Sequence, residues 1–284
     1  RAVCSATAQR PGPVHIDVPI SVADTRVTVK RRRVSPTART LPLAKDLHDA
    51  KIWLSEARRP VALIGLDTLS DGSCQAVRDF LERFNVPFVT TYKAKGILPE
   101  DHPLCLGAAG LSPLADSHLM PLFAKSDLIL CLGYDPIEMR PGWREAWDPA
   151  TQRVIDIAAV PNDHYMHQAG INIVAPTGPA LEALGDGLVP NDTWEGKEPL
   201  ETRAALADAF PVSEEWGPAA VIAETRAVLP PETLATVDSG AHRILLSQMW
   251  RCTEPRGLIQ STGLCTMGCA LPMALGLKPP APDR

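Results

Sequence analysis

The chain has 284 residues, 45% apolar and 21% charged, and 33 acidic against 28 basic side chains give a formal charge of −5. The length predicts about two domains, and the balance is globular rather than disordered. An acidic chain with a pI near 5.8 argues against a nucleic-acid partner, and no apolar run approaches the roughly 18 residues that cross a bilayer, so no membrane role is expected.

Twenty-eight prolines, about twice the usual ~5%, predict many short elements and extended connections. The seven cysteines are scattered and odd in number. Cys105 in PLCLG and Cys131 in DLILCLG read as buried thiols, which points to a reducing cytoplasm rather than a disulfide framework. The opening on Arg1 and the close on KPPAPDR read as the edges of a piece of a longer protein.

Residues 13–18, PVHIDV, alternate in polarity as a strand does, and Pro19 ends the ladder. Residues 1–20 are therefore expected to be the tail of a preceding domain. Residues 21–42 follow as a linker whose basic run, Lys30 to Arg33, is read as a solvated stretch in preference to an anion site.

From Leu43 the pattern becomes α/β. Leu43, Leu47, Ala50, Leu54 and Ala57 have the spacing of one helical face over 43–57, and the apolar run VALIGL follows. Val77, Phe80, Leu81 and Phe84 predict a helix over 73–84. A strand is expected at 86–90, a helix at 114–124, and strands at 127–133, 153–158 and 172–175. Continuous apolar strands alternating with helices predict a parallel sheet covered on both faces, so 43–184 is assigned to one doubly wound, Rossmann-like α/β domain. Residues 185–215 are turn-rich and read as a linker with a short helix near 200–209, and GDG at 185–187 is read as a helix C-cap and turn. Periodicity returns at 218–229, then a strand at 234–238, a helix at 242–250 and the run 261–277. The segment 216–284 is expected to open a second α/β domain.

Ligands of an open parallel sheet bind outside the carboxyl ends of its strands. Gly65, Gly133 and Asp156 lie near three such ends and suit a nucleotide, the Asp through a ribose hydroxyl. No GxGxxG is present, and the reading of the glycines as turns and the Asp as a cap stands equal. In TVDSGAHR (236–243) a strand, a glycine and a helix start aim N–H groups at an anion. His242 taken alone is more often a surface residue at a helix start. In STGLCTMGCALPMALGL (261–277) Gly263 and Gly268 suggest close backbone approach, and Met267 is by default a core filler. Cys265 and Cys269 would share a helical face, and His164 and His167 lie three apart, but neither pair has the further ligands a metal needs.

Three passages together carry a resemblance: GPVHIDVP, then PVALIG…VPFVTTYKAKGILPEDHPLCLGAAG…SDLILCLG…VIDI, then TVDSGAHR…STGLCTMGCALPMALG. In order and separation they resemble the acetolactate-synthase-like family of thiamine diphosphate enzymes. The resemblance implies pyrimidine-binding, central and diphosphate-binding domains, of which this chain holds the tail of the first, the whole of the second and the start of the third. It implies a carboligase or decarboxylase acting on a 2-oxo acid, built as a homodimer or tetramer. Thiamine diphosphate and Mg²⁺ would be its cofactors, with the catalytic glutamate and the metal ligands outside these residues. A non-catalytic nucleotide-binding or structural module is the alternative.

Carried over by position, Ser239, Gly240, Ala241 and His242 meet the cofactor diphosphate, with Ala241 where the family often has Gln. Met267 holds the bent cofactor, and Cys265 replaces the Gly of GLGxMG. Gly65, Thr91, Tyr92, Lys93, Gly133, Asp156 and Ile157 match contacts to a structural FAD. Where the family has GVRFDDR, however, this chain has GYDPIEM (133–139), so Asp135 stands in place of the arginine expected at a phosphate. Two like charges at ~4 Å cost about 4 kcal/mol at an effective dielectric of 20, and FAD is therefore expected to be lost or replaced.

Overall fold

The computed structural model describes residues 2–7, 10–28, 40–162, 166–212 and 215–282, so the basic run Lys30 to Arg33 lies outside the described residues. Two short helices, α1 (Ala2–Ala6) and α2 (Ile20–Ala23), precede the α/β body. That body runs α3 (Ala44–Glu56), β1 (Pro60–Ile64), α4 (Leu66–Ser70), α5 (Cys74–Phe84), β2 (Phe88–Thr91), β3 (Cys105–Ala109), α6 (Pro113–Lys125), β4 (Leu128–Leu132), β5 (Arg153–Ala158), β6 (Ile171–Val174) and α7 (Thr177–Gly185).

The six strands form one sheet in the order β3-β2-β1-β4-β5-β6, every pair parallel. Because helices cover both faces, β1 and β4 are buried at every position, which is why they read as unbroken apolar runs. One face packs on α3, α5 and α7 through Leu54, Val77, Leu81 and Leu181. The other packs on α6 through Leu119, Leu122 and Phe123, together with Trp143 and Trp147. Local signals set the ends: Ser112 caps α6 by accepting from Ala115 N–H, and Asn85 closes α5 in the left-handed conformation. The doubly wound fold is thus as expected. The Cys105 and Cys131 thiols are buried as well, and burial pushes Cys105 up to about 12 and Cys131 well above the ordinary thiol range.

Several expectations are corrected. The segment 13–18 forms no strand: it is exposed, and among the described residues no strand lies beside it to complete a ladder. Residues 105–109 and 258–260, where no strand is expected above, form β3 and β8 (Leu258–Gln260). In 261–277 only α11 (Ala270–Leu277) is helical. Cys265 lies in the preceding loop and Cys269 caps the helix, so the shared helical face does not form; Gly268, at φ +81°, turns the chain between them. GDG behaves as expected: α7 ends at Gly185, and Gly187 turns at φ +75°.

Residues 186–209 are no loose tether. Trp194 is buried in the second core and donates from Nε1 to the Pro60 carbonyl at 2.7 Å, and α8 (Glu198–Ala209) packs on α6. Beyond it, α9 (Pro218–Val228), β7 (Ala235–Val237), α10 (Ala241–Met249), β8 and α11 form a small α/β unit around Ile222, Val237, Trp250, Cys252 and Leu258. β7 and β8 pair in parallel.

A buried ion pair fastens this unit to the sheet. Lys95, just past β2, contacts Glu100 at 2.7 Å and donates to the Ser247 carbonyl at 2.8 Å. Glu100 accepts from Cys252 N–H at 2.8 Å while its own N–H donates to the Cys252 carbonyl. Gln248 and Gln260 donate across the junction to the Ala108 and Tyr92 carbonyls. Burial, the largest single influence, lowers the Lys95 ammonium, but the charge and hydrogen bond of Glu100 together with the neighbouring Cys252 and Cys105 make the net shift upward. Removing one partner strands the other charge, so Lys95→Met is expected to cost roughly 3–5 kcal/mol, read by urea denaturation.

Candidate functional site

The first candidate is the bend after β7. Asp238 accepts from Gly268 N–H at 3.0 Å and Ala270 N–H at 2.7 Å, and these backbone bonds, Ala270 foremost, hold its carboxyl below the usual range. The bond to Ala270 fixes the start of α11, the bond to Gly268 the loop before it. From the first turn of α10, Arg243 donates to the Ser239 hydroxyl at 3.4 Å and to the Ser261 carbonyl, and its Nη1 lies 3.9 Å from the Cys265 sulfur. The Arg243 Nε is buried without a hydrogen-bond partner. Hydrogen bonds with Ser239 and Arg243 draw the Cys265 thiol below its ordinary pKa.

The structure therefore brings Ser239, Gly240, Ala241 and His242 together with the loop bearing Cys265 and Met267. Nothing covers them: Gly240, Ala241, His242 and residues 263–268 are all exposed, with Leu264 at 96% and Met267 at 83%. Met267 is not the core filler that a lone methionine suggests. Apart from the Asp238 carboxylate, whose oxygens are taken up by backbone amides, the polar groups on this face include donors (the Ser239 hydroxyl, the amides opening α10, the Arg243 guanidinium) that suit an anion. Sequence reasoning passed over Asp238 and Arg243. The signals were an acid ending a strand and an arginine four residues after Ser239, one helical turn away.

The second candidate is the crevice at the carboxyl ends of β1, β2 and β4. Gly133, at φ +57°, can carry no side chain, since a Cβ there would lie 2.5 Å from Thr68 N. At Gly65 a Cβ would meet the Gly133 carbonyl, the Tyr134 Cα and the Glu138 Oε1, all within 2.8 Å. The hollow expected to admit a ligand is taken by residues 133–138. Glu138, 3% exposed, accepts from Leu66 N–H at 3.0 Å, from the Thr91 hydroxyl at 2.5 Å and from Asp135 N–H at 3.3 Å. Burial pushes its carboxyl up to about 7, against the lowering pull of these hydrogen bonds. Outside it, Arg10 grips Asp67 at 2.6 Å and Asp135 at 2.7 Å. The cation missing at position 135 is thus supplied from elsewhere, but its donors are engaged by two carboxylates. The residues present do not fit a dinucleotide in this crevice.

The remaining residues of the FAD match are placed differently. Tyr92 faces the C-terminal unit, with its ring centroid 5.9 Å from the Arg243 guanidinium, and the Lys93 ammonium lies 5.7 Å from the same ring. Ile157 is buried, its carbonyl accepting from Gly133 N–H. Asp156 is 2% exposed; its Oδ2 meets His167 Nε2 at 3.3 Å and the Asn162 amide at 3.1 Å, while its Oδ1 is buried without a hydrogen-bond partner. His164 lies outside the described residues. Among the described residues no group of three or more His, Cys, Asp or Glu is placed to hold a metal, and no helix is long and apolar enough to cross a membrane.

Comparison with known proteins agrees with this division. Residues 47–184 match the family described as "Thiamine pyrophosphate enzyme, central domain", and residues 238–284 match "Thiamine pyrophosphate enzyme, C-terminal TPP binding domain". Together these cover well over half of the chain, which belongs to the thiamine pyrophosphate enzyme family. It is 27% identical over 280 residues to an acetolactate synthase of Bacillus subtilis, covering 95% of this chain and 49% of the relative. It is 26% identical over 293 residues to the acetolactate synthase isozyme 1 large subunit of Escherichia coli, covering 98% and 50%. It is also 28% identical over 303 residues to a probable 2-ketoarginine decarboxylase of Pseudomonas aeruginosa, covering 100% and 50%. The chain spans about half the length of the curated relatives it matches.

Two outcomes follow from the geometry. Cys265 holds φ +53°, a left-handed conformation that costs a side-chain-bearing residue about 1–2 kcal/mol. Cys265→Gly removes that cost and adds roughly 0.5–1 kcal/mol of backbone entropy loss, so a net gain of about 0.5–1 kcal/mol in urea denaturation is expected. Glu138, raised from 4.5 to about 7, binds its proton more tightly folded than unfolded. Its contribution to stability is complete below pH 4.5 and is lost as pH rises through 7, an effect on the order of 3 kcal/mol. Glu138→Gln should remove that part of the pH slope in denaturation curves recorded from pH 4.5 to 7.5.

Proposed function

We propose that this chain is the central and diphosphate-binding part of a thiamine diphosphate-dependent carboligase or decarboxylase acting on a 2-oxo acid. One observation carries the reading: Asp238 and Arg243 bind the 239–242 bend to the loop of Met267, and the face they share is open and lined with donors. The residues present fit the cofactor in character. The Ser239 hydroxyl and the backbone N–H groups opening the nine-residue α10 would hold diphosphate oxygens, and His242 would add a further polar contact. The buried Arg243 Nε puts positive charge beneath them. The exposed Met267 side chain would hold the bent form of the cofactor, and Leu264 beside it would exclude water.

Thiamine diphosphate, when bound, supplies the electron sink for the carbon from which carbon dioxide departs; the protein supplies shape and dry electrostatics. Cys265, in the left-handed conformation, keeps the loop path while adding bulk next to the ring. Mg²⁺ and the acid that activates the cofactor would be held by parts of the protein outside this chain. Acetolactate synthases and a probable 2-ketoarginine decarboxylase among the relatives support the 2-oxo acid class. The open face supports an active site completed by a second subunit, in a homodimer or tetramer. The seven free cysteines fit a reducing cytoplasm. The filled crevice in the central domain speaks against the alternative of a nucleotide-binding module.

Calorimetric titration of the full-length protein with thiamine diphosphate and Mg²⁺, then product analysis with pyruvate and a panel of 2-oxo acids, tests the reading. Absence of cofactor binding would overturn it. In the same protein, Met267→Ala should lower kcat roughly tenfold while changing the cofactor Kd much less, because the side chain shapes the reactive conformation rather than the diphosphate grip.

A further inference from the structure

In a doubly wound sheet the default ligand site lies where the strand order reverses, here outside the carboxyl ends of β1 and β4. In this protein the chain's own residues 133–140 fill that site at two points. The hollow at Gly65 holds the Tyr134 backbone and the Glu138 carboxylate. The hollow at Gly110, a left-handed residue at φ +85°, holds the Met139 side chain, while Arg140 N–H donates to the Gly110 carbonyl at 3.0 Å. Between them Pro136–Glu138 form a short 3₁₀ turn that Asp135 and Glu138 cap reciprocally, which fixes the Glu138 side chain inward.

We propose that residues 133–140 are a built-in occupant of the dinucleotide crevice, with the Glu138 carboxylate in the place of a ligand anion, and that the central domain of this protein takes no flavin or adenine nucleotide. The donors that could greet a ligand's anion, Leu66 N–H and the Thr91 hydroxyl, already bond Glu138. A nucleotide would have to expel that carboxylate, empty both glycine hollows and part Arg10 from Asp67 and Asp135. Expulsion would break the hydrogen bonds from the buried Thr91 hydroxyl and the Leu66 amide, so a ligand's oxygens could at best replace contacts already made while Glu138 lost all of its own. Glu138 thus keeps the crevice closed with no cofactor to order it.

The test uses the full-length protein. Heat-released supernatant should hold no flavin, and saturating FAD and ADP, added separately, should leave Tm unchanged. About one flavin per chain, or a Tm raised by either nucleotide, overturns the proposal. In hydrogen exchange, Glu138→Ala should speed exchange of the Leu66 and Asp135 amides by about tenfold or more, whereas Glu138→Gln, which keeps an acceptor, should preserve most of their protection. Equal protection in the Ala variant and the unaltered protein overturns the role of Glu138. Should the Ala variant not fold, the nucleotide measurements on the unaltered protein decide.

Discussion

The buried Lys95–Glu100 pair is the contact on which the relation between the sheet and the C-terminal unit depends. Both side chains leave the segment that follows β2, and both reach backbone groups of the C-terminal unit: Lys95 the end of α10, Glu100 the Cys252 amide before β8. An ion pair out of water holds only when its remaining hydrogen-bonding capacity is met. Here Ser247 and Cys252 contribute to meeting it, so the pair persists only while the two units stay docked. Tyr92 lies on the same segment, and docking brings its ring to Arg243, the residue that joins the 239–242 bend to the Cys265 loop. One polar contact in the interior thus sets the position of the exposed candidate face.

The two glycine-marked regions have opposite fates, and the cause is what fills the space a side chain would take. At Gly65 and Gly110 that space holds the chain's own atoms. At Gly263 and Gly268 a Cβ would meet nothing within 4 Å. A glycine facing filled space serves packing, whereas Gly268, beside exposed Leu264 and Met267, serves the left-handed turn at φ +81° and leaves its surroundings open. The same residue type therefore carries two meanings, and only the neighbours distinguish them.

The sheet was legible where burial on both faces forces continuous Val, Ile and Leu, as in β1, β4 and β5. β3 was not, because Gly107, Ala108 and Ala109 lend it small residues in place of β-branched ones. PVHIDV misled for the converse reason: alternation promises a half-buried strand only when a neighbour supplies the ladder. The resemblance located Ser239, His242 and Met267, but not Asp238 or Arg243, whose partners lie some twenty to thirty residues further along the chain. In GYDPIEM the departure from the family pattern was visible, yet charge counting drew the eye to Asp135. Arg10 balances Asp135, and Glu138, three residues on, closes the crevice.

This last difference shows why a repulsive charge is a weaker reason for losing a ligand than a filled volume. A carboxylate at the mouth of a site can be neutralised by any nearby cation, as Asp135 is by Arg10, at little structural expense. A carboxylate lodged against Gly65 and bonded to Thr91 and Leu66 is held by shape and by hydrogen bonds that salt does not screen. The central domain consequently acts as a complete scaffold in itself, joined through Lys95 and Glu100 to a unit whose open face carries the donors. The proposed chemistry would draw on that open face, where the start of α10 and Met267 remain uncovered by the described residues.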